Sequence, residues 1–213
     1  KQLVAIVTGG ASGIGLAIAE TFVKNKIKTI VIGRDQKKLK SVKLSLGANC
    51  EIESFDLKDR KSIPALIKKL DKKFGGIDIL VNNAGIIMRS PAAEHPDEYW
   101  DKVMSINLDA QFILSKAIAK QMLERGKGKI IFTCSLLSFQ GGINVPGYAA
   151  AKSALTGLVK AFANEWASKG ICVNGIAPGY IETDNTKALR EDAERNKSIL
   201  ERIPAKRWGT PDD

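Results

Sequence analysis

The chain has 213 residues, of which 44% are hydrophobic and 26% charged, so we expect one globular domain and not a disordered chain. A single histidine excludes a histidine-rich metal site. Three widely spaced cysteines in apolar segments, Cys50, Cys134 and Cys172, predict buried free thiols and a reducing, cytoplasmic setting. The net charge of +10 lies on lysines that alternate with apolar residues, which is typical of a solvated face and argues against a nucleic-acid partner. No apolar run is long enough to span a membrane.

Short apolar runs alternate with amphipathic stretches along the chain. Strands are predicted at Leu3–Val7, Thr29–Ile32, Glu51–Ser54, Ile77–Val81, Lys129–Cys134 and Cys172–Ile176. Helices are predicted at 14–24, 36–45, 60–73, 97–123 and 147–168. This alternation predicts an α/β fold with a Rossmann-type doubly wound parallel sheet, in a single dinucleotide-binding catalytic domain over residues 1–213. After Pro178 we expect a loop, a polar helix over Thr186–Arg202 and turns, with no further strand.

A glycine-rich turn joins the first predicted strand to the first helix. Its sequence is Thr-Gly-Gly-Ala-Ser-Gly-Ile-Gly over residues 8–15. Glycines there allow a tight turn and a close approach of the backbone to a pyrophosphate, and the N-terminus of the next helix offers free N–H groups to that anion. The turn is therefore expected to bind a dinucleotide through Gly9, Ser12, Gly13, Ile14 and Gly15.

The second predicted strand ends in Gly33-Arg34-Asp35, beside the position of the adenosine ribose in this kind of fold. A carboxylate there accepts a hydrogen bond from the 2′-hydroxyl of NAD, whereas a guanidinium pairs with the 2′-phosphate of NADP. Because Arg34 precedes Asp35, the sequence favours NADP. It leaves NAD open, since a surface position or stacking on the adenine also fits Arg34.

Polar and small residues follow the third and fourth predicted strands at the same edge of the sheet. The predicted cofactor contacts there are Asp56, Leu57, Asn83, Ala84 and Gly85. The Asp56 carboxylate is placed to accept the adenine amino group, and the small residues let the ribose pack against the backbone. A helix cap at Asp56 and a link between loops at Asn82 are the structural alternatives.

Tyr148 and Lys152 share one face of a predicted helix, and Ser135 ends the fifth predicted strand. A phenol has an ordinary pKa of about 10, and a nearby ammonium favours the phenolate, which brings proton transfer closer to neutral pH. Ser135 would hold the substrate oxygen while a hydride moves, and Asn107 would fix a water that relays protons to Lys152. Taken alone, Tyr148 and Lys152 also fit an ordinary amphipathic pair.

Together these motifs resemble the short-chain dehydrogenase/reductase family over essentially the whole chain. The shared features are Thr8–Gly15, Asn82–Gly85, Asn107, Ser135, Tyr148, Lys152 and Pro178-Gly179, in the family's order and spacing. The resemblance implies a catalytic tetrad of Asn107, Ser135, Tyr148 and Lys152. It also implies cofactor contacts at Pro178, Gly179, Ile181 and Thr183, with Thr183 on the nicotinamide carboxamide. Family members continue for another helix and strand, so the chain is expected to lack its C-terminal part.

A narrower resemblance is to a subgroup that contains 2-dehydro-3-deoxy-D-gluconate 5-dehydrogenase and gluconate 5-dehydrogenase. It rests on residues 135–142, 163–166, 177–180, 185–186 and 202–209. It implies an NAD(P)-dependent oxidoreductase that interconverts a secondary alcohol and a ketone of a sugar acid, working as a homo-oligomer (a dimer or tetramer). The sequence departs from the subgroup at Met88, where an arginine is usual, and at Arg34, because NAD is the usual cofactor of the first enzyme.

A sugar acid needs a cation or convergent donors for its carboxylate. Arg89, in the loop after the fourth predicted strand, is expected to bind that group, and Gln140 and Asn185 to bind the hydroxyls, although a surface position also fits Arg89. Two other functions stay open. The +10 charge suits a 3-oxoacyl-[acyl-carrier-protein] reductase. The second open function is a protein that senses the cofactor without catalysis, and the intact tetrad argues against this function.

Overall fold

The computed structural model describes all residues, Lys1–Asp213, and its centre is a sheet of six parallel strands. The strands are β1 (Val4–Thr8), β2 (Lys28–Gly33), β3 (Cys50–Ser54), β4 (Ile79–Asn82), β5 (Gly128–Thr133) and β6 (Ile171–Ile176). Their order across the sheet is β3-β2-β1-β4-β5-β6. The order reverses between β1 and β4, and the loops there diverge to open a crevice at the carboxyl ends of the strands. The predicted doubly wound fold is confirmed.

Helices cover both faces of the sheet. They are α1 (Gly13–Lys24), α2 (Gln36–Leu46), α3 (Ile63–Phe74), α4 (Asp97–Met104), α5 (Ala110–Arg125), α6 (Leu137–Gln140), α7 (Pro146–Trp166), α8 (Lys187–Glu191) and α9 (Ala193–Arg202). The larger core lies under α3, α5 and α7, and includes Leu66, Leu114 and Phe162. The other face packs against α1 and α2 through Ala19 and Leu39. No helix combines the length and the apolar character needed to cross a membrane.

Two helical predictions need correction. The stretch predicted as one helix over 97–123 consists of α4, a π-helical turn over Ser105–Asp109, and α5. The polar helix predicted over Thr186–Arg202 is divided at Asp192. The backbone of Asp192 is extended (ψ 106°), and its side chain accepts a hydrogen bond from Arg195 N, so it ends α8 and caps α9.

The prediction of three buried thiols is wrong for Cys172. Cys50 and Cys134 are buried, but Cys172 is exposed. In β6, Ile171 and Val173 point into the core beneath α7, and the alternate residue Cys172 therefore faces the opposite side of the sheet. The apolar pattern alone does not show which side of β6 faces the core.

Candidate active site

A cavity of about 420 Å³ lies along the carboxyl ends of the strands. Nineteen of the predicted site residues line it: Gly9, Ser12, Gly13, Ile14, Gly15, Arg34, Asp56, Leu57, Asn83, Ala84, Gly85, Ser135, Tyr148, Lys152, Pro178, Gly179, Ile181, Thr183 and Asn185. Three others, Arg89, Asn107 and Gln140, lie outside the lining. The loops after all six strands contribute, so the topology itself gathers these residues.

The glycine-rich turn has no room for side chains. Gly9 and Gly13 have positive φ angles of 64° and 52°, which favour glycine. A Cβ on Gly15 would lie 2.4 Å from Asn83 Nδ2 and 2.4 Å from Gly9 O. The backbone of the turn therefore faces the cavity directly, and α1 begins at Gly13 with its N-terminus beside it. This bare cradle at a helix N-terminus fits the pyrophosphate of a dinucleotide.

Thr8 fixes the loops at the switch point of the sheet. Its Oγ1 donates to Val81 O (3.2 Å) and accepts from the backbone N of Asn83 and of Ala84, at 3.0 Å each. Asn83 returns a hydrogen bond from Nδ2 to Thr8 O (3.1 Å). Thr8 belongs to the turn motif, but the motif alone predicts no role for its side chain. Its part in joining β1 to β4 depends on strand order, which residue types do not reveal.

The ribose end of the cavity presents Arg34 and not Asp35. Arg34 is in the lining, whereas Asp35 caps α2: its Oδ1 accepts from Lys37 N (2.9 Å) and Lys38 N (3.0 Å). The hydrogen bond from Lys38 N is the main cause that lowers the pKa of Asp35. Asp56 lines the cavity and also accepts from Lys58 N (3.0 Å), so it caps a turn and not a helix, and its contact with the adenine stays a prediction.

Lys152 is buried at the other end of the cavity. Its ammonium donates to Thr133 O and lies 5.6 Å from the centroid of the Tyr148 ring. Burial lowers the pKa of Lys152 to about 8. Burial also raises the pKa of Tyr148, against the opposing effects of the Ser135 hydroxyl and the Arg89 guanidinium. The sequence predicted a phenol made more acidic by Lys152. The dominant influence is instead the apolar burial of the ring, because the Lys152 ammonium is directed at Thr133.

Ser138 joins the two catalytic segments. Its Oγ accepts from Ser135 N (3.2 Å) and donates to Lys152 O (2.8 Å), while Ser135 Oγ accepts from Leu137 N (3.1 Å). The loop after β5 is thereby fixed against α7. Sequence spacing showed only that Ser138 does not match the catalytic serine. Its bracing role depends on the packing of α6 against α7.

Asn107 occupies the π-helical turn and is fully buried. Its Oδ1 accepts from Ile86 N (2.8 Å) and its Nδ2 donates to Ile86 O (2.8 Å). Both polar ends of the side chain are therefore used by the loop after β4. The side chain positions the backbone of Ile86, and its part in holding a relay water stays a prediction.

The segment Ile181–Thr186, here called the 181–186 loop, lies across the cavity. Thr186 Oγ1 accepts from Thr183 N (3.0 Å) and donates to Ile181 O (2.8 Å), which stiffens the loop. A Cβ on Gly13 would lie 3.1 Å from Thr183 Cγ2, so the loop rests on the glycine-rich turn. The 181–186 loop thus forms one wall of the cavity.

The predicted substrate residues are only partly brought together. Arg89 is exposed at the mouth of the cavity, where its Nη2 donates to Asn185 O (3.0 Å), and its charge acts on Tyr148. Gln140 is exposed at the end of α6 and does not line the cavity. The short helix α6 directs Gln140 into solvent, so its prediction as a hydroxyl ligand needs correction.

The fold and the site define a nicotinamide-dependent oxidoreductase. Residues 3–194 match the family model described as short chain dehydrogenase. The chain belongs to the short-chain dehydrogenase family, and the family resemblance seen in the sequence is confirmed.

Relatives of two kinds are similar to the chain. A 2-dehydro-3-deoxy-D-gluconate 5-dehydrogenase of Pseudoalteromonas atlantica is 53% identical, over 99% of this chain and 84% of the relative. A 3-oxoacyl-[acyl-carrier-protein] reductase of Escherichia coli K12 is 40% identical, over 97% of this chain and 84% of the relative. The crystal structure of a gluconate 5-dehydrogenase from Burkholderia cenocepacia, in complex with NADP and tartrate, superposes with a TM-score of 0.92 at 36% identity, covering 99% of this chain and 84% of that one.

Proposed function

We propose that the protein oxidises a secondary alcohol of a sugar acid, or reduces the matching ketone, with NADP as the preferred cofactor. The observation that supports this most directly is the placement of Tyr148, Ser135 and Lys152 at one end of a cavity whose other end fits a dinucleotide. The 53% identity to a 2-dehydro-3-deoxy-D-gluconate 5-dehydrogenase supports the sugar-acid substrate.

The chain's own residues would handle the proton. When bound, the nicotinamide supplies hydride transfer to or from the carbinol carbon. Tyr148 takes the hydroxyl proton of the alcohol in oxidation and gives a proton to the ketone oxygen in reduction. The Ser135 hydroxyl orients that oxygen and lowers the pKa of Tyr148 against the effect of burial, while Lys152 is held by Thr133 O beside the Tyr148 ring and Asn107 holds the loop after β4.

The cofactor preference follows from the ribose end of the cavity. Arg34 faces the cavity, and Asp35 is occupied by the N-terminus of α2. The NADP seen in the Burkholderia cenocepacia gluconate 5-dehydrogenase supports the same choice. NADPH should bind more tightly than NADH, and Arg34→Ala should narrow the difference by about ten-fold, because a charge-assisted hydrogen bond to phosphate is lost. Fluorescence titration with both cofactors tests this, and a wild-type preference for NADH would contradict it.

The substrate carboxylate would bind Arg89, with Asn185 beside it. Arg89 has one N–H donating to Asn185 O and further donors free at the mouth of the cavity. If Arg89 holds the carboxylate equally in ground and transition states, Arg89→Ala raises KM with little change in kcat. A neutral diketone substrate is the control, because its kinetics should not change. Equal losses on both substrates would show that Arg89 only supports the 181–186 loop.

A 3-oxoacyl reductase is the second candidate. The net charge of +10 would attract an acidic carrier protein, and the Escherichia coli reductase is 40% identical. A panel of sugar acids and 3-oxoacyl thioesters, assayed with both cofactors, separates the two functions. Faster turnover of the thioesters would replace the sugar-acid proposal.

We also propose a domain organisation, a compartment and an oligomeric state for the enzyme. We place residues 1–213 in a single dinucleotide-binding catalytic domain that works in the cytoplasm as a homo-oligomer. Three free cysteines support a reducing compartment. The exposed aromatic rings of Trp100 and Phe112 support contact with a second copy. Light scattering after gel filtration measures the oligomeric state, and a strictly monomeric protein would contradict this part.

A further inference from the structure

An ion pair crosses the mouth of the cavity beside Arg34. Lys38 Nζ lies 3.2 Å from Asp184 Oδ2. Lys38 is in the first turn of α2, one turn of chain beyond Arg34, and Asp184 belongs to the 181–186 loop. Asp184 and Arg34 both line the cavity, so the ammonium of Lys38 already reaches one of its walls.

The ion pair between Lys38 and Asp184 is weak, so Lys38 can exchange Asp184 for a partner that binds it more strongly. The side chains of Lys38 and Asp184 are 52% and 78% exposed, and exposed pairs of this kind contribute only about 0–1 kcal/mol. A phosphate monoester carries a charge of roughly −1.5 to −2 near neutral pH and offers three acceptor oxygens. It therefore competes well against a single carboxylate for the same ammonium.

The backbone of Lys38 is held in place whichever partner its side chain has. Asp35 Oδ1 accepts from Lys38 N at 3.0 Å, which fixes the first turn of α2 next to Arg34. Only the flexible side chain has to move between partners. Lys37 has the same anchoring from Asp35 but forms no ion pair, so it supplies a matched comparison on the same turn.

We infer that Lys38 is a second specificity-determining cation for the 2′-phosphate of NADP, and that it exchanges Asp184 for this phosphate when the cofactor binds. The inference rests on the proposed use of NADP and adds a residue to it. Asp184 has an opposing role, because its carboxylate holds Lys38 before binding and repels the phosphate whenever Lys38 is missing. NAD has no 2′-phosphate and leaves the pair intact.

Cofactor titrations without substrate test the inference. Dissociation constants for NADPH and NADH are measured at near-physiological salt for the wild type, Lys38→Met, Asp184→Asn, the double variant and the control Lys37→Met. Lys38→Met should weaken NADPH binding by about ten-fold and NADH binding by less than about two-fold. Asp184→Asn should tighten NADPH binding several-fold. The double variant should bind NADPH more tightly than Lys38→Met, and Lys37→Met should match the wild type.

Three outcomes would overturn the inference. Lys38→Met with unchanged NADPH affinity would show that Lys38 does not reach the phosphate. Equal losses for both cofactors would show that the ion pair only closes the 181–186 loop. An equal loss in Lys37→Met would show a general charge effect. A wild type that binds NADPH no more tightly than NADH would instead contradict the proposed cofactor. Turnover of sugar acids is measured in a separate assay, so that a failure of the proposed substrate is distinguished from a failure of this inference.

Discussion

At the scale of single residues, burial shifts the pKa values of Lys152 and Tyr148 at one end of the cavity. The Lys152 ammonium has one backbone partner, Thr133 O, and is otherwise enclosed by the core. Enclosure makes its charged form costly, which is why its pKa falls to about 8. Burial also raises the pKa of Tyr148, because it disfavours the charged phenolate. The ordinary pKa values of the two groups, 10.0 and 10.5, are close together, and burial moves them apart: the pKa of Lys152 falls and that of Tyr148 rises.

Lys152 should make stability depend on pH. Its folded pKa of about 8 is below its ordinary value of 10.5, so between these values the unfolded chain binds one proton more than the folded chain. The free energy of unfolding contributed by Lys152 therefore rises with pH through this window, by at most about 3 kcal/mol. We expect the wild type to gain stability relative to Lys152→Met from about pH 7.5 to 10.5, as measured by urea unfolding. Lys160→Met, on the exposed side of α7, should show no such trend.

Tyr148→Phe should abolish turnover and preserve cofactor binding. The change removes the transferable proton and leaves the ring, and loss of a general acid or base costs about 100- to 10,000-fold in kcat. Steady-state kinetics and NADPH titration measure the two effects. Tyr99→Phe, distant from the cavity lining, is the control and should keep wild-type rates. Wild-type activity in Tyr148→Phe would refute the assignment of the proton donor.

At the scale of elements, turns and helix ends place the functional groups. The π-helical turn between α4 and α5 contains Asn107, and the capped N-terminus of α2 presents Arg34. The apolar pattern predicted a helix over 97–123 but not the turn within it. One extra residue in a helical turn hardly changes the apolar pattern, and its cause is tertiary: the hydrogen bonds between Asn107 and Ile86.

The same substitution at two glycines should have opposite effects. Gly15→Ala places a methyl group 2.4 Å from Gly9 O and Asn83 Nδ2, so the turn must shift. We expect loss of stability together with at least about ten-fold weaker cofactor binding, since the backbone can no longer approach the pyrophosphate. Gly157→Ala in α7 meets no atom within 4 Å and should stabilise the chain by about 0.5–1 kcal/mol. Thermal unfolding measures the stability of both variants, and NADPH titration measures their cofactor affinity. Unchanged NADPH affinity in Gly15→Ala would contradict the proposal that the glycine-rich turn binds the pyrophosphate.

At the scale of the whole molecule, the sequence predicted the sheet well, but it did not predict the contacts between segments that are distant along the chain. Every strand was placed within two residues, because continuous apolar runs between turn residues are a local signal. Nineteen site residues line one cavity because parallel strands bring their carboxyl ends to one edge. Contacts between distant segments had no local signal. The Lys38–Asp184 pair, the brace at Ser138 and the exposure of Cys172 all depend on which elements become neighbours.

Stability should decrease from the centre of the sheet towards β3. Every residue of β1 and β4 is buried and both strands are paired on two sides, whereas β3 pairs only with β2 and has an exposed position. Hydrogen exchange followed by mass spectrometry should find the slowest amides in β1 and β4. Exchange in β3 as slow as in β1 would contradict this gradient.

The strand order has a consequence for how the polypeptide is made. Ala5 in β1 lies opposite Ile79 in β4, so β1 leaves the ribosome before this central neighbour and waits until β2 and β3 have also been synthesised. Until then the apolar sequence Val-Ala-Ile-Val has only β2 to pair with and presents a free edge to other nascent chains. We therefore expect β1 to need protection during synthesis, by a chaperone or by early packing of α1 across it, as a consequence of the same strand order that opens the crevice.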